Sequence, residues 1–132
     1  MNIISAQQFK MRAGKHNDVA ILSLRANGVF VNKAAVAQAK ITVIDGKFYA
    51  TFSQNDEGQL HVKFSCDPIE GSCLFRTTTN KNEFIHHNQG LSKHLKDMTK
   101  CDKNSVPCRI QIQAVTEDGW YPVITTYWKS LE

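Results

Sequence analysis

The sequence predicts an α+β fold in which two tandem β-β-α-β-β repeats form one twisted antiparallel sheet with two helices packed on one face. Two observations support this prediction. The order strand, turn, strand, helix, strand, turn, strand can be read in residues 19–65 and again in residues 73–126. The second predicted helix carries a single apolar stripe, which is typical of a helix that packs on one side only. The length of 132 residues fits a single domain, 1–132.

Residues 1–18 precede the first repeat and are predicted to form a basic N-terminal arm, for which a plain solvated terminus is the alternative. The positive charges of this arm are Lys10, Arg12 and Lys15. The whole chain carries 16 Lys and Arg against 12 Asp and Glu, and the excess falls in its first half. This surplus permits an anionic partner but is smaller than that of a strong non-specific DNA binder.

The first repeat contains two hairpins around a short helix. Asn27-Gly28 is the dipeptide best suited to a two-residue hairpin turn, and Asn32 stands where a helix N-cap belongs. The helix that follows is rich in alanine and so has a low cost of formation. The predicted elements are strands 20–25 and 29–31, helix 33–40, and strands 47–53 and 59–65.

The second repeat has the better-defined helix. Asn88 is a plausible cap, and Leu91, Leu95 and Met98 share one apolar stripe. Three lysines occupy the opposite face, where an ordinary solvated surface and a phosphate-contacting stripe are both open: Lys93, Lys96 and Lys100. The predicted elements are strands 74–79 and 83–87, helix 89–100, and strands 109–115 and 120–126.

A sheet covered by helices on one face leaves its other face exposed, and strand alternation predicts which side chains lie there. Cations, amides and flat rings interleaved on such a face suit a single-stranded nucleic acid, because cations follow phosphates and rings stack on bases. The alternative is an ordinary solvated face. The candidate nucleic-acid-binding residues are Lys47, Tyr49, Lys63, Arg76 and Arg109, with Trp120 or Tyr121 for stacking and Lys10, Arg12 and Lys15 of the arm.

Two stretches resemble known nucleic-acid-binding modules. Residues 21–36, ILSLRANGVFVNKAAV, followed by a hairpin, resemble the AbrB-type swapped-hairpin domain, a β-β-α-β-β unit that binds double-stranded DNA as a dimer or after duplication within one chain. The Arg-rich loop that carries the DNA contacts in that family is missing here. Residues 47–100, with four strands and then a helix, are similar to Whirly and Pur-type modules, which bind single strands on a sheet. Both resemblances imply nucleic-acid binding, to which an oligonucleotide-binding barrel is a third route.

Four cysteines form two pairs with the same spacing, Cys66 with Cys73 and Cys101 with Cys108. Free thiols, loop-closing disulfides and a zinc site are all open. The gap within each pair is longer than that of ordinary structural zinc ligands. The N-terminus does not resemble a signal peptide, and no segment is long and apolar enough to span a bilayer. These observations predict a cytoplasmic protein, in which thiols stay reduced.

The sequence contains no phosphate-binding glycine loop, nucleophile elbow or zinc-protease helix. It therefore predicts a non-enzymatic nucleic-acid-binding protein without a cofactor, with single-stranded DNA or RNA favoured as partner. The alternative is a protein-interaction module, or a small inhibitor or regulator, that binds through sheet edges and exposed aromatic residues. A homodimer is compatible with both readings. The aromatic residues in question are Trp120, Tyr121, Tyr127 and Trp128.

Overall fold

The computed structural model describes residues 19–78 and 82–131. The predicted basic arm with Lys10, Arg12 and Lys15 lies outside these described residues. The elements are β1 (Ile21–Arg25), β2 (Gly28–Asn32), α1 (Lys33–Gln38), β3 (Lys47–Gln54), β4 (Leu60–Ser65), β5 (Cys73–Thr77), β6 (Glu83–His86), α2 (Gln89–Thr99), β7 (Ser105–Ile110), a 3-10 turn (Ile112–Ala114), β8 (Tyr121–Ile124) and α3 (Tyr127–Ser130).

The eight strands close into an antiparallel barrel in the order β1-β2-β6-β5-β3-β4-β8-β7, with β7 pairing back onto β1. The predicted open sheet was therefore wrong, and so was the α+β class, because the described chain is mostly sheet with three short α-helices. The barrel closes because the two halves of the chain interleave. Strand β1 pairs with β7, and β3 pairs with β5, so each half satisfies the free hydrogen-bonding edges of the other.

The strand order has a twofold character. The sequence β-β-α-β-β occurs in β1 to β4 and again in β5 to β8. Exchanging the first four strands with the last four reproduces the same cyclic order of neighbours. The pairs β2 with β6 and β4 with β8 lie on this pseudo-twofold axis.

The first two helices cover the two ends of the barrel, so the prediction that both pack on one face of a sheet was wrong. Helix α1 follows Asn32 at one end of β2, and its Ala35 is fully buried in the core. Helix α2 follows β6 at the other end, where the Ser92 hydroxyl donates to the carbonyl oxygen of Arg25 at 2.6 Å. A barrel has no free inner face for a helix, because side chains from all strands fill its interior.

Both predicted helix caps are confirmed. The Asn32 side chain accepts a hydrogen bond from the Ala35 N–H at 3.0 Å, and that of Asn88 accepts one from the Leu91 N–H at 2.9 Å. Each cap satisfies a backbone donor that has no partner inside its helix.

The second hairpin of the second half differs from the sequence prediction. Strand β7 is Ser105–Ile110, and the predicted continuation to residue 115 forms a 3-10 turn instead. The strand begins earlier because Val106 and Cys108 both point into the core, where they are fully buried. The alternation of buried residues on either side of Pro107 was not recognised in the sequence, because the spacing of the cysteines suggested a loop there.

The first hairpin turns one residue earlier than predicted. Gly28 already pairs with Arg25, so the two turn residues are Ala26 and Asn27. Glycine is needed at position 28 for a different reason. A Cβ atom there would lie 2.3 Å from the carbonyl oxygen of His86 on the neighbouring strand β6.

Substitution of Gly28 by Ala should therefore destabilise the barrel by about 3 kcal/mol, since either β2 or β6 must move to relieve the overlap. Urea unfolding followed by circular dichroism measures this change. Gly58→Ala is the control for loss of a glycine without overlap, because Gly58 has a positive φ of 80° but no atom lies within 4 Å of a Cβ at that position; it should cost only about 1 kcal/mol. Equal stability losses in the two variants would contradict the close approach of β2 and β6.

The four cysteines are free thiols: Cys66 is exposed, Cys73 is partly buried, and Cys101 and Cys108 are buried. Burial, with a smaller contribution from nearby Cys101, raises the pKa of the Cys108 thiol from 9.0 to about 12. Within the described residues, no group of three or more His, Cys, Asp and Glu is placed to hold a metal ion. Cys108 thus acts as a small apolar group in the core.

This raised pKa makes stability depend on pH in the alkaline range. Above about pH 9 the thiol loses its proton in the unfolded state but keeps it in the folded state. Deprotonation therefore stabilises the unfolded state relative to the folded state. The contribution of Cys108 is fully present below pH 9 and falls by up to about 1.4 kcal/mol per pH unit between pH 9 and 12. Urea titrations at pH 8, 9 and 10 should show a steeper decline for the parent than for Cys108→Ala. If the free energy of unfolding fell equally with pH in both proteins, the raised pKa of Cys108 would be contradicted.

Candidate nucleic-acid interface

Four of the predicted binding residues lie together on the outside of the barrel, with Trp120 beside them. Lys47 on β3 is directly opposite Arg76 on β5, and Tyr49 is flanked by Leu74 and Ser65. The Lys63 ammonium on β4 lies 5.8 Å from the centre of the Trp120 ring. We call Lys47, Tyr49, Lys63, Arg76 and Trp120 the basic face.

The strands present these residues outward because the residues between them fill the core. On β3, Phe48 and Ala50 are fully buried and alternate with Lys47, Tyr49 and Thr51. Adjacent strands lie about 4.8 Å apart, so the basic face extends roughly 14 Å around the barrel from β5 to β8.

The two cations at one end of the basic face form a like-charge pair. Lys47 and Arg76 are direct cross-strand neighbours, both are exposed, and neither forms an ion pair with another described residue. Like charges directly opposite each other destabilise a sheet by a few tenths of a kcal/mol to about 1 kcal/mol. An anion bound between the two side chains would relieve that repulsion.

The other end of the basic face pairs a cation with an aromatic ring. The Lys63 ammonium lies within the distance at which a ring attracts a cation. The loop that carries Trp120 is held by two hydrogen bonds to Thr116, from the Thr116 N–H to the Trp120 carbonyl oxygen and from the Trp120 N–H to the Thr116 hydroxyl. These bonds hold the backbone of the loop that carries the half-buried Trp120 ring.

Thr51 lies between the two ends of the basic face, opposite Lys63. Its hydroxyl oxygen is buried and has no hydrogen-bond partner among the described residues. Orphaned polar atoms of this kind are rare in folded proteins. This one lies on the same outward row of β3 as Lys47 and Tyr49.

Two of the predicted residues lie elsewhere. Arg109 is exposed on β7, opposite Ile21 and Ile124, and the curvature of the barrel turns it away from β3 and β5. Tyr121 packs its ring 5.8 Å from that of Phe64 and donates its hydroxyl to the Ala39 carbonyl oxygen at 3.4 Å. It belongs to the packing under α1 and is not placed to stack on a base.

Lys40 was missed at the sequence level. It lines a groove of about 230 Å³ together with Lys63 and Ser65, which extends the positive charge of the basic face toward α1. Its backbone is in the left-handed region, with φ of 53°, directly after the helix. The sequence could not predict that Lys40 lies in this groove, because its place there depends on how α1 packs against β4.

Comparison of the chain with protein-family models, with curated proteins and with solved structures finds no match. The resemblances to swapped-hairpin and to Whirly or Pur-type modules therefore stay predictions. Among the helices that the structure describes, none is both long and apolar enough to cross a membrane.

Proposed function

We propose that this protein binds single-stranded DNA or RNA on the basic face and does so without catalysing a reaction. The observation that carries this proposal is the unneutralised cross-strand pair of Lys47 and Arg76 on the same surface as Tyr49 and the Lys63–Trp120 pair. Cations that follow a phosphate backbone, next to rings that stack on bases, are the shared features of single-strand-binding surfaces.

Single strands are favoured over duplexes because of the aromatic residues. The faces of the bases are accessible in a single strand and hidden inside a duplex, so Tyr49 and Trp120 add affinity only for unpaired bases. A duplex would gain from the phosphate contacts alone. A cytoplasmic location, which the sequence predicts, is compatible with either nucleic acid.

The alternative of a protein-binding module rests on free sheet edges and exposed aromatic residues. In the described part of the chain every strand has two neighbours, because the barrel is closed. Closure leaves only short unpaired edge segments on the described strands for strand addition, such as the part of β4 beyond Val62 on its β8 side, and this favours the nucleic-acid proposal. Two of the four aromatic residues named for that function are engaged within the protein, since Tyr121 packs on Phe64 and Trp128 packs against the core.

Fluorescence anisotropy of labelled oligothymidylate without a terminal phosphate tests the proposal, with a duplex of equal length beside it, at roughly 50 and 200 mM salt. We expect micromolar or tighter binding to the single strand, weaker binding to the duplex, and a steep loss of affinity at the higher salt concentration. Absence of binding to both at low salt would contradict the proposal. Equal binding to the two would contradict the role of the rings.

A further inference from the structure

A second basic concavity lies on the other side of the barrel. It is a groove of about 740 Å³ between the β1–β2 turn and α2. Strands β1 and β2 are four positions around the barrel from β3 and β4, so this groove is separate from the basic face. Its charged lining residues are Arg25, Lys93, Lys96, Asp97, Lys100 and Asp102.

Three of the cations come from α2 and its C-terminal cap. Lys93 and Lys96 are neighbours on the helix surface at a spacing of three residues, and Lys100, the residue that caps the helix, lines the same groove. None of them forms an ion pair with another described residue. Neighbouring like charges on a helix surface destabilise the helix, and a bound anion would offset that repulsion.

The fourth cation is held rigidly. The Arg25 guanidinium donates two hydrogen bonds to the Glu83 carboxylate, at 2.6 and 3.2 Å, and lies 4.0 Å from the centre of the Phe30 ring. The hydrogen bond from the Ser92 hydroxyl to the Arg25 carbonyl oxygen fixes α2 against the turn. The two walls of the groove are thus positioned before a ligand binds, which lowers the entropic cost of binding.

Lys100 occupies a backbone position that favours glycine. It ends α2 in the left-handed region, with φ of 57° and ψ of 29°. Helices commonly end on glycine there, since a side chain carries a conformational cost in that region. A lysine at this position adds its positive charge to the groove in spite of that cost.

The volume and chemistry of the groove indicate the class of ligand. Its volume lies within the range of small-molecule sites. The cations suit phosphate groups, and the carboxylates of Asp97 and Asp102 can accept hydrogen bonds from sugar hydroxyl groups. We propose that this groove is a second binding site, which takes a phosphorylated nucleoside. The ligand is either a free nucleotide or the phosphorylated end of an oligonucleotide.

Isothermal titration calorimetry with adenosine diphosphate, pyrophosphate and adenosine tests this proposal. The diphosphate should bind more tightly than either of the other two probes. Its affinity should fall at least about 10-fold in the double variant Lys93→Ala, Lys100→Gly, in which the glycine also removes the unfavourable backbone conformation. The double variant Arg109→Ala, Lys129→Ala removes two cations that lie on β7 and α3 and do not line the groove; it is the matched control and should bind the diphosphate like the parent.

Pyrophosphate binding as tight as that of the diphosphate would overturn the assignment to a nucleoside, and equal affinities in the parent and the double variant Lys93→Ala, Lys100→Gly would overturn the site. A dinucleotide with a 5′-phosphate distinguishes the two sources. Binding tighter than that of adenosine diphosphate assigns the end of an oligonucleotide, and weaker binding assigns a free nucleotide. Because the oligothymidylate used for the basic face has no terminal phosphate, the two proposals can fail separately.

Discussion

Replacing Phe48 by Ala should cost about 4 kcal/mol of stability, the largest loss expected from a single truncation in the barrel. The Phe48 side chain is fully buried. Its ring stacks on Phe75 with centroids 5.3 Å apart and meets Phe84 edge-on at 5.0 Å and Phe64 at 5.9 Å. Truncation removes all three ring contacts and leaves a cavity that the closed wall of strands cannot collapse to fill.

Urea unfolding followed by tryptophan fluorescence measures this loss. A domain of this size is stable by only about 5–15 kcal/mol, so the variant should unfold at a much lower urea concentration. Ser53→Ala, an exposed position on the same strand, is the control and should change stability by less than about 0.5 kcal/mol. A loss under about 1 kcal/mol for Phe48→Ala would show that the aromatic cluster does not form as described.

Removal of both charges in the double variant Lys47→Ala, Arg76→Ala should weaken oligonucleotide binding by about 2 kcal/mol, or roughly 30-fold. The slope of log affinity against log salt should fall by about 1.4, since each phosphate contact to a single strand contributes about 0.7. Loss of the cross-strand repulsion should leave folding stability unchanged or slightly higher. Oligonucleotide affinity is thus expected to fall without any loss of folding stability.

The same anisotropy titrations, repeated across a salt series, measure both quantities. Arg109→Ala and Lys129→Ala each remove one exposed cation from other parts of the barrel, on β7 and α3. Both should bind the single strand nearly as tightly as the parent and keep its salt dependence. If these controls lost as much affinity as the double variant, binding would depend on net charge alone and not on the basic face.

Local features of this fold could be predicted from the sequence because they depend on a residue and its near neighbours. The caps Asn32 and Asn88 are of this kind. Closure of the barrel could not be predicted in this way. Alternation shows that Phe48 points inward and Lys47 outward, but it does not show which strand lies beside β3. The pairing of β1 with β7 joins Ile21 to Arg109, residues that are far apart in the chain.

The candidate site also combines features that follow from the local sequence with features that depend on how the strands pair. Lys47, Tyr49, Lys63 and Arg76 were grouped by alternation, and the structure places them on one surface. Arg109 was grouped with them on the assumption of an open sheet, and the curvature of the barrel separates it. Either Trp120 or Tyr121 was expected to stack on bases, and the sequence did not decide between them; the structure shows that Tyr121 packs inward against Phe64, which leaves Trp120.

The most direct test of the central claim is a two-dimensional ¹⁵N–¹H NMR titration of the labelled protein with oligothymidylate lacking a terminal phosphate. We expect the amide shifts to concentrate on β5, β3 and β4 and on the loop that carries Trp120, together with the side-chain N–H of Trp120. Shifts confined to β1, β2 and α2, or no shifts at saturating oligonucleotide, would contradict it.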